Sequence, residues 1–124
     1  MFVYYNPNPD KKDTSDCIIR ALSKVLDQSW EDTYSQVTYA GLILHDMPEK
    51  NYVWSKVLKN HGYRRYIIPD RCPDCYSVRE FCLDNPKGRY ILCLDGHVVA
   101  AIDGDYYDTW DSGDGIPLFY WEKR

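Results

Sequence analysis

Two Asp-Gly steps, Asp95-Gly96 and Asp103-Gly104, separate three short apolar or aromatic runs, "RYILCL", "HVVAAI" and "DYYDTW". Asp-Gly supplies the positive-φ residues that a tight two-residue hairpin requires. Runs of this length between such turns read as strands. The C-terminal part of the chain is therefore an antiparallel meander, and "IPLFYW" offers it a final strand.

The N-terminal half follows another rhythm. After the loop "NPNPDKKDTSD", Ile18, Ile19, Leu22, Val25 and Leu26 recur at helical spacing. They predict a helix that opens near Ser15 or Asp16 and carries Cys17 in its first turn. Ser29 and Asp32 resemble a capping box ahead of a second helix with Trp30, Tyr34 and Val37 on one face. A third helix is expected from about Asn51 to His61, with Val53, Val57 and Leu58 inward and Gly62 as its stop. "YRRYII" reads as a strand ending at Pro69, and Ser77 with Glu80 caps a short helix through Phe81 and Leu83. The expectation is a single α+β domain over residues 1–124, with N-terminal helices followed by a C-terminal antiparallel β-sheet.

Charge and cysteine usage narrow the function classes. Fifteen basic and nineteen acidic residues, mixed along the chain, give a net charge of −4. That balance argues against a nucleic-acid partner, which would need a basic face. No stretch approaches the roughly 20 apolar residues of a membrane span. The N-terminus lacks the basic start and apolar run of a signal peptide. Five cysteines without such a signal are expected to be reduced thiols in a cytoplasm.

The candidate chemistry lies in "GHVVAAIDGDYYDTWDSG". With a two-residue turn at Asp103-Gly104, Ile102 faces Asp105, Val99 faces Asp108 and His97 faces Trp110. Strand alternation then places His97, Val99, Asp108 and Trp110 on one face, with Asp108 a diagonal neighbour of His97. A one-residue bulge would exchange Asp108 for Asp111. A carboxylate on one imidazole nitrogen fixes the tautomer and leaves the other nitrogen free to take a proton. Cys17 offers that proton: a thiol in a helix's first turn sits near backbone N–H groups that favour the thiolate. The plainer alternative is a small buried cysteine and a histidine beside a solvated aspartate.

A cysteine at a helix start, a distant histidine on a strand and a carboxylate on the next strand resemble papain-like cysteine peptidases. "GHVVAAIDG" looks like that family's histidine strand. "DTWDSG" is similar to its Asn-Ser-Trp-Gly segment, with Asp108 in the asparagine's place and Trp110 as the tryptophan that shields the orienting pair. "DCIIRAL" is similar to the Asp-Cys helix start of bacterial members, including those that process bacteriocin leaders. The resemblance implies a papain-like fold of the small bacterial or phage type and a hydrolase acting on a peptide or protein substrate without a cofactor. Cys17 would be its nucleophile, His97 its acid–base and Asp108 the orienting group.

The chain departs from the family in two ways. Relatives carry a glutamine shortly before the cysteine, which joins the cysteine N–H in the oxyanion hole. Six residues before Cys17 this chain has Lys11, and no glutamine stands anywhere upstream. Asn6 or Asn8 could supply the amide, with Lys11 and Lys12 as further options. The hairpin is also compressed and lacks long specificity insertions. The same three groups would equally serve a transglutaminase or deamidase, and the missing glutamine admits an inactive, phage-encoded binding protein.

Cys72 and Cys75 stand at metal-ligand spacing with Cys82 beyond them, which is half of a zinc site or a turn around Pro73-Asp74 with partly buried thiols. Cys82 and Cys93 read as core, and His45 and His61 as surface or capping residues. Tyr106, Tyr107, Tyr120 and Trp121 either line a peptide groove or are half-buried core.

Overall fold

The structure, a computed structural model, describes residues 1–69 and 76–123. Its elements in chain order are β1 (Phe2–Tyr4), α1 (Cys17–Leu26), α2 (Trp30–Leu44), α3 (Asn51–Asn60) and β2 (Tyr63–Ile67), then α4 (Val78–Asp84), β3 (Arg89–Leu94), β4 (His97–Ile102), β5 (Asp105–Asp108) and β6 (Phe119–Lys123). The chain is α+β, and six strands form one sheet in the order β1-β5-β4-β3-β6-β2.

The meander is where the turns predict it. Leu94 pairs with His97 across Asp95-Gly96, and Ile102 pairs with Asp105 across Asp103-Gly104. Asp103 and Gly104 both adopt positive φ, 50° and 87°, the combination that keeps a two-residue turn in step with strand twist. Strand β5 is shorter than "DYYDTW": it ends at Asp108, and Thr109 and Trp110 lie in a bend.

The sheet is mixed rather than wholly antiparallel, and it is not confined to the C-terminal part. β1 runs parallel to β5, with Tyr4 beside Asp108, and β2 closes the other edge against β6. A three-residue strand is too short to show a period of two, and its partner lies at the other end of the chain.

Alternation along the strands divides the core. Val98 and Ala100 of β4 face a cluster with Leu22 and Val25 of α1, Val37 of α2, and Val53, Trp54, Val57 and Leu58 of α3. Val99 and Ala101 face the other cluster, with Val78, Phe81 and Cys82 of α4. Ser29 caps α2 by accepting from the Asp32 N–H, and Ser77 and Glu80 form the full capping box of α4. The buried face of α2 is Thr33, Val37, Ala40 and Gly41. Tyr34 does not share it; it is exposed and stacks on Trp30 with ring centroids 5.0 Å apart. Tyr106 and Trp121 are buried, so these aromatics are core. No helix among the described residues is long and apolar enough to cross a membrane.

Candidate active site

Helix α1 begins at Cys17, and Asp16 holds its N-cap position without making a side-chain cap bond. Both Asp16 carboxylate oxygens are committed elsewhere. Oδ1 accepts from Arg20 Nη1 at 2.6 Å, and Oδ2 accepts from Trp30 Nε1 at 2.9 Å. The first-turn amides of α1 are thus left without a side-chain acceptor from their own cap residue. Cys17 itself is half-buried against the helical side of the core.

His97 opens β4 and Asp108 ends β5, which puts both at the end of the hairpin away from its turn. The diagonal predicted from the register closes to a hydrogen bond of 2.6 Å between His97 Nε2 and Asp108 Oδ2. The Cys17 thiol lies near enough to the His97 ring for each to shift the other's titration. With Nε2 committed to Asp108, Nδ1 is the nitrogen left for sulfur. The structure therefore brings Cys17, His97 and Asp108 together, while Asp111 accepts from the Tyr106 hydroxyl and plays no part in the cluster. Trp110 lies over the His97 ring with centroids 5.0 Å apart.

Asp108 is fully buried and receives four donors. His97 and the Ser112 hydroxyl, at 2.7 Å, share Oδ2. The Thr109 N–H at 2.8 Å and Arg20 Nη2 at 2.9 Å share Oδ1. Sequence reasoning singled out neither Arg20 nor Ser112. The signal for Arg20 was its i,i+4 spacing from Asp16 on an otherwise apolar helix face, a pattern that usually marks a solvated pair.

These contacts separate the titrations. Burial pushes the Cys17 thiol up, but its bonds with His97 and the Val98 backbone, and the charges of His97 and Arg20, outweigh burial and hold it below 9.0. Burial pushes His97 down, and its bonds to Asp108 and Cys17 overcome this to raise it from 6.5 to about 9. Burial also pushes Asp108 up, and the His97 and Ser112 bonds bring it below 3.8. Both shifts at Cys17 and His97 favour a thiolate–imidazolium pair. In contrast, burial is the main cause that raises Cys82 to about 11 and Cys93 to about 12. Those two are core thiols, protonated and unreactive at neutral pH.

The ion pair carries a signature in folding. Where the pair exists, the folded state keeps a proton on His97 that the unfolded chain has released. It also lacks a proton on Cys17 that the unfolded chain retains, so the two linkages offset. Alanine at Cys17 removes one side of that balance. His97, still raised by Asp108 though no longer by Cys17, then contributes stability in full below its unfolded value of 6.5 and loses it as pH rises through its folded value. Urea midpoints of Cys17→Ala are therefore expected to decline across that window more steeply than those of the wild type. Parallel profiles would contradict the ion pair.

The oxyanion candidates divide. Asn6 Nδ2 donates to the Lys12 carbonyl and Lys11 Nζ donates to the Asn6 carbonyl, so both are used inside the loop. Asn8 is buried and, with Lys12, Ser15 and Asp16, lines a depression of about 420 Å³ at the mouth of α1. A roomier depression of about 650 Å³, between α3, β2 and β6, contains none of the three clustered residues. His45 and His61 sit at the C-caps of α2 and α3. Cys72 and Cys75 lie outside the described residues. Among the described residues no group of three or more His, Cys, Asp or Glu is placed to hold a metal ion.

Compared with protein-family models, curated proteins and solved structures, the chain finds no match in any of the three.

Proposed function

We propose that the chain is a cysteine hydrolase of the papain-like type, acting on a peptide, isopeptide or related amide bond. The observation that carries this reading is the bond of His97 Nε2 to buried Asp108, which leaves the other ring nitrogen toward the Cys17 thiol at the start of α1, whose titration that ring lowers. The Cys17 thiolate adds to the carbonyl carbon and the oxygen takes the charge, facing the Cys17 N–H. The C–N bond then breaks as His97 gives its proton to the leaving amine, and an acyl-thioester remains. Neutral His97 next takes a proton from water as the water attacks the thioester. The acid departs, and the proton returns the pair to its resting state. Asp108 holds the ring and stabilises its charged form throughout.

A peptide-derived electrophile, read by mass spectrometry of the digested protein, tests the reading. A selective adduct on Cys17, absent from Cys82 and Cys93, is expected; equal labelling of all three would overturn it.

The engagement of the Asn6 amide within its loop favours a second reading, a binding protein on the same scaffold. Product analysis with a peptide library separates the two. Wild type and Cys17→Ala would then behave alike, whereas the hydrolase reading requires products from the wild type only. A transferase of the same chemistry would pass the acyl group to an amine in place of water.

A further inference from the structure

Arg20 is a guanidinium buried to 5% exposure between two carboxylates that are themselves buried. One prong reaches Asp16, beside the nucleophile on its own helix, and the other reaches Asp108 across 88 residues of chain. Arg20 touches neither a reacting atom nor a surface where substrate would lie. Its two partners are, however, the two anions closest in the network to Cys17 and His97.

We propose that Arg20 is a positioning residue that sets the pH window of the Cys17–His97 pair, by dividing one fixed positive charge between the carboxylate that orients His97 and the carboxylate at the N-cap of the Cys17 helix. The inference rests on the reading of Cys17 and His97 as a reactive pair, but not on which bond they cleave.

Among the described residues the charged and titratable groups around the pair are few. Arg20 and Asp16 face it from α1, and Asp108 from β5. Cys93 faces Cys17 from β3 and is protonated. From α2 only the Trp30 indole enters the network, through Asp16, while Glu31 and Asp32 are exposed. In the working state three anions, Cys17, Asp16 and Asp108, stand against two cations, His97 and Arg20. Without Arg20 the count is three to one, and every remaining proton is held more tightly. Asp108 keeps its place in that case, because the Thr109 N–H and the Ser112 hydroxyl still hold it against His97.

Loss of the Arg20 charge therefore moves both titrations in the same direction, upward. Loosening of the site does something else: water entry returns Cys17 up toward 9.0 but lets His97 fall toward 6.5. The direction taken by His97 distinguishes a charge-setting residue from a merely structural one.

The experiment follows the Cys17 titration by the pH dependence of iodoacetamide alkylation and the His97 titration by its ring-proton NMR shifts. It compares the wild type with Arg20→Met, Arg20→Lys and Asp16→Asn, each checked for folding by circular dichroism. Arg20→Met is expected to raise both midpoints by about one unit, a tenfold change in each ratio. Arg20→Lys keeps the charge and is expected to stay within about half a unit of the wild type. Asp16→Asn removes an anion and moves both midpoints down. A folded Arg20→Met whose His97 midpoint falls or stays put overturns the inference. Should that variant not fold, Asp16→Asn decides alone: lowered midpoints support the inference, and unmoved or raised ones overturn it. A wild-type Cys17 that alkylates as an ordinary thiol would instead overturn the hydrolase reading, and the His97 midpoints would still decide the role of Arg20.

Discussion

Alanine at His97 is expected to slow the alkylation of Cys17 at neutral pH, while the protein stays folded. Burial is the largest influence on this thiol, and it acts upward. What reverses it is chiefly the imidazole, through both its hydrogen bond and its charge. With the ring gone, the Val98 amide and Arg20 must work against burial alone, and the thiol returns toward 9.0. A thiol of that pKa is about 1% thiolate at pH 7, and thiolate is the reactive species. Any amide hydrolysis falls further, by about 10²- to 10⁴-fold, because the proton donor to the leaving amine is lost too. The fold survives because His97 lies at a strand end and Asp108 keeps its bonds to Ser112, Thr109 and Arg20. Timed iodoacetamide labelling with mass spectrometry of the Cys17 peptide reads the effect. A folded variant that alkylates as fast as the wild type would mean that the ring does not activate the thiol.

The contact that makes this prediction possible was legible in the sequence, for a local reason. A two-residue Asp-Gly turn fixes the register, and register decides which residues are diagonal neighbours, so His97 and Asp108 could be paired from spacing alone. The α1 stripe and the Ser77 capping box were legible on the same terms, since each depends on neighbours three or four residues away. Tyr34 shows where that logic fails. It fits the helical face of Val37, yet it stays in water because α3 covers α2 along Val37 and Ala40. β1 and Arg20 were hidden for one shared reason. Each is defined by a partner at the far end of the chain, β5 for the strand and Asp108 for the guanidinium. Asp16 was visible as a helix opener but not as a carboxylate drawn off its own helix by Arg20 and Trp30.

That buried pair makes Asp108 the position where substitution is expected to cost the most stability, and where alanine and asparagine part ways. Asp108→Ala strands the Ser112 hydroxyl and the Thr109 N–H, takes one of two partners from a buried guanidinium and leaves His97 without its anion. Removing one partner of a buried ion pair costs about 3–5 kcal/mol, a large share of a small domain's stability. Asparagine is nearly the same shape. It nevertheless fits poorly here. Oδ1 accepts from Arg20 and the Thr109 N–H, and Oδ2 accepts from His97 and Ser112. Whichever way an amide is turned, its NH₂ group meets a donor: Arg20 and the Thr109 N–H on one side, or protonated His97 on the other. Asp108→Asn is therefore expected to cost about 1–3 kcal/mol, the penalty for leaving buried donors unmet. Arg20→Met beside it removes one of the two donors on that side, and the double variant should lose less than the sum of the two single ones. Urea titrations of the four proteins measure that coupling. Additive losses would mean that the guanidinium does not dictate a carboxylate at position 108. A positive coupling would show that Arg20 is the reason the orienting residue is an aspartate.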